Sequence, residues 1–270
     1  MLENYVISRP TDTIRRDHIR NEFGSRNIPF YFFDAISSPE QLKTSTQKLL
    51  PLFNEVSYLT PGEKGCFMSH LSLWQHCLNQ KLPYIAIFED DIWLGDQAHK
   101  LLMDDDWLQG FFSSEEPFIL RLETVYEPCK IKLFSQKSYY NRQIHKLLSP
   151  HHGTGGYIIS QTAIKWLLAH LHNTYLDDFT PIDVLIFEHL IPHSAVNVYQ
   201  LYPAICIQEI ILHPERNDLG SQIEFDRIKK IPHVPKRTLS QKIKRELSRL
   251  KRQIIRHINC NIPYKTIPFK

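Results

Sequence analysis

Three consecutive acids, Glu89-Asp90-Asp91, close the apolar run Tyr-Ile-Ala-Ile-Phe at residues 84–88. Carboxylates crowded at the end of a buried strand repel one another, and a bound cation relieves that repulsion. Oxygen donors of this kind suit Mg²⁺ or Mn²⁺. An ion held there can bridge a diphosphate and stabilise it as it leaves. The plain alternative is a solvated acidic turn. Asp104-Asp105-Asp106 follows no buried strand and is read in that plain way, as a solvated loop or helix start.

A second feature is His152-Gly153-Thr154-Gly155-Gly156-Tyr157. Glycine lets a backbone approach a ligand closely and adopt positive φ. The run precedes an apolar strand pattern instead of following one, so it is not a dinucleotide fingerprint. It reads as a loop that shapes a pocket or as a simple turn. His70 and His76 sit in a helical pattern and receive no role. Arg15 and Arg16 could meet phosphate, but a solvated helix face is the preferred reading.

These residues need a frame. Residues 4–8 form a short apolar run, broken by Pro10, after which Asp12 can cap a helix to about Phe23. Residues 29–36 are aromatic and β-rich and end at Asp34-Ala35. This strand–helix–strand opening predicts a parallel sheet. Thr60-Pro61-Gly62-Glu63 is a helix start: Thr60 accepts the Glu63 amide, Pro61 loses nothing at the first position, and Glu63 reaches back. Phe67, Leu71, Trp74 and Leu78 then recur at helical spacing to about Gln80. Further strands are expected at residues 84–88, 118–122, 157–160, 195–199 and 204–207, with a helix at 161–171. Thr180-Pro181-Ile182-Asp183 repeats the cap logic, for a helix reaching Pro192. Open α/β sheets bind ligands outside the carboxyl ends of their strands, where the acids at 89–91 would stand.

The 270 residues are 42% hydrophobic and 23% charged, which excludes global disorder. No run approaches the ~18 apolar residues of a membrane span, and no secretory signal is visible at the N-terminus. A cytosolic protein is expected. Cys66, Cys77, Cys129, Cys206 and Cys260 are widely spread, with no pair at zinc or redox spacing, and are read as reduced thiols. Residues 236–256 hold nine Lys or Arg and one acid; this segment carries +8 against +3 for the whole chain, which leaves −5 for the remainder. Such asymmetry predicts an anionic partner for the tail.

The chain resembles glycosyltransferase family 25, the bacterial lipooligosaccharide biosynthesis glycosyltransferases. The resemblance rests on NYVISRPTDTIRRDHI, IPFYFFDAI, LTPGEKGCFMSHLSLW, YIAIFEDDIWL, HGTGGYIIS and YPAICIQE, in the family's order over residues 4–225. It implies an α/β, GT-A-like fold: a Rossmann-type mixed sheet flanked by helices that binds a UDP-sugar, with Mn²⁺ or Mg²⁺ on the acidic motif. It implies inverting transfer, often of galactose, onto a growing lipooligosaccharide or lipopolysaccharide. The metal set is then Glu89 and Asp91, which face one side if the strand continues, with His213 as a late third ligand or simply a loop histidine. Asp90 would face the ribose or a neighbouring loop. Ser8, Asp34, Ala35, Glu63, Ser69, His152, Thr154, Gly155, Gly156, Tyr157, Gln208 and Ser221 are the candidate substrate contacts. Asp183 is the candidate general base for the acceptor hydroxyl. It is equally read as a helix cap, and Asp177, Asp178 and Glu188 are rivals.

Residues 1–232 are assigned to the transferase domain and 233–270 to a basic tail, with an edge at 232–235. Leu239, Ile243, Leu247, Leu250, Ile254 and Ile258 trace one helical stripe among basic residues. An amphipathic C-terminal helix of this kind can lie on an anionic membrane surface, placing the enzyme peripherally on the inner face of the cytoplasmic membrane, beside a glycolipid acceptor. Docking of the stripe on the domain is the alternative, placed behind the membrane surface. No nucleic-acid module accompanies it. Two other functions fit the same residues: a catalytically inactive module that binds nucleotide-sugar or glycan, and a metal-dependent nucleotide hydrolase.

Overall fold

The computed structural model describes residues 1–193, 195–216, 219 and 261–270. Its strands are β1 (Asn4–Ser8), β2 (Tyr31–Asp34), β3 (Tyr84–Glu89), β4 (Ile92–Leu94), β5 (Phe118–Arg121), β6 (Glu123–Thr124), β7 (Cys129–Leu133), β8 (Gln143–Leu147), β9 (Gly156–Ser160), β10 (Asn197–Tyr202), β11 (Cys206–Gln208) and β12 (Tyr264–Lys265). The helices are α1 (Thr13–Gly24), α2 (Pro39–Leu49), α3 (Pro61–Asn79), α4 (Ala98–Leu102), α5 (Asp106–Gln109), α6 (Gln161–His172), α7 (Ile182–Val184) and α8 (Glu209–Leu212).

Nine strands form one mixed sheet in the order β12-β7-β8-β10-β5-β9-β3-β1-β2. β2, β1 and β3 run parallel, as the opening pattern predicts, and β9 lies antiparallel between β3 and β5. Register sets the carboxyl ends level: Ser8 stands opposite Asp34, and Ile7 opposite Glu89. A small second sheet, β4-β11-β6, lies beside it.

Alternation divides the core. On β3, Ile85 and Ile87 join a cluster with Leu71 and Trp74 of α3 and Leu167 of α6. Ala86 and Phe88 join the opposite cluster with Ile19 and Phe23 of α1 and Leu101 of α4. Every strand residue from Ile85 to Phe88 is fully buried, so the strand reads as a continuous apolar run because helices cover both faces. Thus the chain has the mixed α/β sheet flanked by helices that the resemblance implies.

Local signals placed the helices well. Asp12 caps α1 by accepting from the Arg15 amide. At α3 the full capping box forms: Thr60 Oγ1 accepts from Glu63 N at 3.1 Å, and Glu63 Oε2 accepts from Thr60 N at 2.9 Å. Thr180 departs from that pattern. Pro181 occupies the cap, no side chain caps α7, and the helix passes into a π turn at Leu185–His189.

The last ten residues also depart from the tail assignment. β12 pairs antiparallel with β7, and Ile267 is fully buried in the core. The Ile267 carbonyl accepts from Thr124 Oγ1 at 2.8 Å, and the Lys270 carbonyl accepts from Arg142 Nη2 at 2.6 Å. An apolar residue beyond the basic segment has a place to go, and local periodicity cannot reveal it. The domain edge at 232–235, the basic stripe at 239–258 and Ser221 lie outside the described residues.

Candidate active site

The ends of β1, β2 and β3 and the first turns of α3 enclose a cleft of about 300 Å³. Ser8, Ala35, Ser69, Glu89, Asp90 and Asp91, all singled out in the sequence, line it. Gly65 lets α3 close against β2, because a Cβ there would collide with the Ile36 carbonyl. Ser69 Oγ ties the two together, accepting from Ile36 N at 2.9 Å and donating to Gly65 O at 2.8 Å.

β3 stops at Glu89, and Asp90-Asp91 form the turn into β4. The strand alternation expected for Glu89 and Asp91 therefore does not apply. Glu89 accepts from Thr154 Oγ1 at 2.5 Å and from Gln208 Nε2 at 3.1 Å. Burial, and then the charge of Asp91, push its carboxyl up to about 8; Asp183 adds to that push. Burial likewise lifts Asp91 to about 6, opposed by Arg15. Its Oδ1 is buried without a hydrogen-bond partner among the described residues. An orphaned oxygen among half-buried, mutually repelling carboxylates fits a hard divalent cation.

Arg15 corrects the sequence reading. Its side chain is only 16% exposed, where a solvated helix face was expected. The guanidinium donates to Asp90, lies 3.6 Å from Asp91, and its Nε donates to the Leu219 carbonyl at 2.6 Å. Asp90 is thus held by an arginine on α1. Arg16 also turns inward, donating to the Ser8 carbonyl and to Asp34, and stacking over Phe32. The signal was available in part: both arginines sit one turn past the Asp12 cap, on the helix that follows β1.

The glycine run is stitched beneath the acids. The Glu89 amide donates to Gly155 O at 3.2 Å, and the Gly155 amide donates to Glu123 Oε2 at 2.9 Å. Gly155 is required there, since a Cβ would stand 2.7 Å from Glu123 Oε1. Gly153 takes a φ of +106°. Glu123 belongs to a cluster that sequence reasoning missed: Arg121, Glu123 and His151 are buried together, with Arg121 donating to both partners and to the His152 carbonyl. Burial pushes Glu123 up to about 7 and His151 down to about 3. Charges at alternate positions of an apolar strand, Arg121 and Glu123, were the available clue.

Other candidates fall elsewhere. Tyr157 is fully buried; its hydroxyl meets His70 Nδ1 at 2.8 Å and accepts from Trp74 Nε1 at 3.1 Å, so it supports the cleft from below. Glu63 is buried in the α3 cap. Asp34 is largely exposed, against Arg16. His152 Nε2 meets Glu188 Oε2 at 2.9 Å. His213 packs its ring edge-on against Trp93, and its Nδ1 lies 3.5 Å from Glu215. Ligand atoms of Glu89, Asp91 and His213 do not gather as one group within 4.8 Å among the described residues. Asp183 sits half-buried in the first turn of α7, with no capping bond to hold it. Asp105 is not a solvated acid: it accepts from Tyr84 Oη at 2.8 Å and from the N-terminal ammonium at 2.6 Å. No described helix is long and apolar enough to cross a membrane.

Comparison with known proteins gives the family. Residues 1–186 match the family described as glycosyltransferase family 25 (LPS biosynthesis protein). The lipooligosaccharide biosynthesis protein lic2B of Haemophilus influenzae is 43% identical over 236 residues, covering 87% of each chain. The lacto-N-neotetraose biosynthesis glycosyltransferase LgtE of Neisseria gonorrhoeae is 39% identical over 231 residues, 84% of this chain and 82% of its own. LgtB of Neisseria meningitidis serogroup B is 37% identical over 259 residues, 93% and 94% of the two chains. With its acid-lined cleft at the ends of β1 and β3 and relatives matched along most of its length, the chain belongs to glycosyltransferase family 25 and is a glycosyltransferase.

Proposed function

We propose that this enzyme moves a sugar, galactose in our reading, from a UDP-sugar to a growing lipooligosaccharide acceptor, with inversion. The observation that carries the reading is the half-buried pair Glu89 and Asp91 beside Arg15, with Asp91 Oδ1 unpartnered among the described residues. Mn²⁺ or Mg²⁺ on Glu89 and Asp91 would supply Lewis-acid stabilisation of the departing UDP. Arg15 fixes Asp90 and Asp91 and brings positive charge to the same cleft. Pro61 and Gly62, in the first turn of α3, line the cleft, and a helix N-terminus favours an anionic group such as a diphosphate. Thr154 and Gln208 orient Glu89 from the far side. Asp183 takes the proton of the attacking acceptor hydroxyl, so the hydroxyl arrives on the face opposite the leaving group.

The acceptor class is supported by relatives named for lipooligosaccharide biosynthesis. The basic segment 236–256 fits attachment to the anionic inner face of the cytoplasmic membrane, where a lipid-linked acceptor would be met. The test is UDP release from a panel of UDP-sugars with acceptor present, with Mn²⁺ or with chelator. Release from one donor is expected, lost with chelator and reduced at least ~10²-fold by Asp91→Ala, the scale of several kcal/mol of electrostatic stabilisation. Turnover in Asp91→Ala equal to the parent would remove the metal role.

A further inference from the structure

Cys66 and His70 lie one turn apart on α3 and face Glu89 across the cleft floor. Their ligand atoms, one sulfur, one ring nitrogen and one carboxylate oxygen, all lie within 4.8 Å of one another. His70 is fully buried, its Nδ1 meets the Tyr157 hydroxyl at 2.8 Å, and its Nε2 is buried with no hydrogen-bond partner among the described residues. A buried, unpartnered ring nitrogen calls for a ligand.

We propose that Cys66, His70 and Glu89 form a second cation seat in the cleft, one that takes a thiophilic divalent ion of the zinc class. The seat shares Glu89 with the metal site of the transferase reading, but its test requires no sugar donor and no turnover, and the thiolate contact distinguishes the two. The donor set decides the ion: thiolate and imidazole favour Zn²⁺ or Co²⁺, whereas Mg²⁺ prefers oxygen alone. Three protein ligands leave a fourth position open, and the cleft these residues line supplies the entry path. Zn–S and Zn–N bonds place ligand atoms roughly 3.5 Å apart around the ion, so the present group, within 4.8 Å, draws together as the ion binds. His70 binds through Nε2 while Nδ1–H donates to the Tyr157 oxygen, an outer contact that fixes the ring. The Cys66 thiol gives up its proton to solvent as the ion binds.

The test titrates reduced, metal-free protein with Co²⁺ and then adds Zn²⁺. A thiolate-to-cobalt charge-transfer band that saturates at one thiolate-bound Co²⁺ per chain is expected, and Zn²⁺ should erase it. Cys66→Ser should abolish the band and Cys77→Ser should keep it. A parent protein that shows no band, or a Cys66→Ser protein that retains it, overturns the site. Because the serine variant can fail to fold, alkylation of the parent chain gives a second reading. Zn²⁺ should shield Cys66 from iodoacetamide, and equal labelling with and without Zn²⁺ also overturns it.

Discussion

Two tetrapeptides of one design, Thr60-Pro61-Gly62-Glu63 and Thr180-Pro181-Ile182-Asp183, end up differently. The first closes a reciprocal box and starts a helix of 19 residues. The second leaves Thr180 Oγ1 buried without a partner among the described residues, and its helix lasts three residues before widening into a π turn. Side-chain length is one cause. Glutamate reaches back to the cap amide, whereas aspartate is one methylene shorter. The π turn is the other mark of difference, since such turns gather at functional sites. Motif logic identifies where a helix can begin, but only packing decides whether the third-position acid is spent on the cap. At Thr60 the acid is committed; at Thr180 it makes no capping bond, and its charge adds to the upward push on Glu89.

The largest effect that could break this contrast is at Asp183. Asp183→Asn should lower the transfer rate about 10²–10⁴-fold, the usual contribution of a general base. The unfolding midpoint should stay where it was, since no capping bond is lost. Full activity would make Asp183 a structural residue and move the base elsewhere. At the other cap the signs reverse. Thr60→Ala should cost about 1 kcal/mol in a denaturant melt, because the Glu63 amide loses its Oγ1 acceptor while the residue-60 amide can still donate to Glu63; an unchanged melt would mean that the Thr60 hydroxyl contributes nothing to α3. The smallest effect sharpens the comparison most. Thr180→Val should shift stability by no more than about 0.5 kcal/mol in either direction, because a hydroxyl without a partner is replaced by a methyl. A loss as large as that at Thr60 would show that Thr180 caps in solution.

Features written in local sequence were legible. The strand at 84–88, its terminal acids, the α3 box and the strand after the glycine run all follow from periodicity and capping chemistry, and β1, β2 and β3 align as the opening pattern requires. The site was legible where residues sit at strand ends, as with Ser8, Ala35 and Glu89. It was not legible where a partner comes from far along the chain. Arg15 meets Asp90 across 75 positions, and Gln208 meets Glu89 across 119. The buried group of Arg121, Glu123 and His151 exists only because the loop before β9 lies down on β5 and β6, so no window of sequence contains it. The same holds for Ile267, whose pocket is built by strands more than a hundred residues earlier.

That returning C-terminal end has a further consequence. Leu219 is fastened by Glu209 and Arg15, and residues 261–270 are fastened along β7, Thr124 and Arg142. Both ends of the stretch from 220 to 260 are therefore fastened to the domain, at Leu219 and at residues 261–270. A chain cut once within that span would become two pieces, the shorter one ending in a strand with a buried isoleucine for its key. Such a pair is a natural candidate for reassembly in trans, with a synthetic C-terminal peptide restoring the missing edge of the sheet.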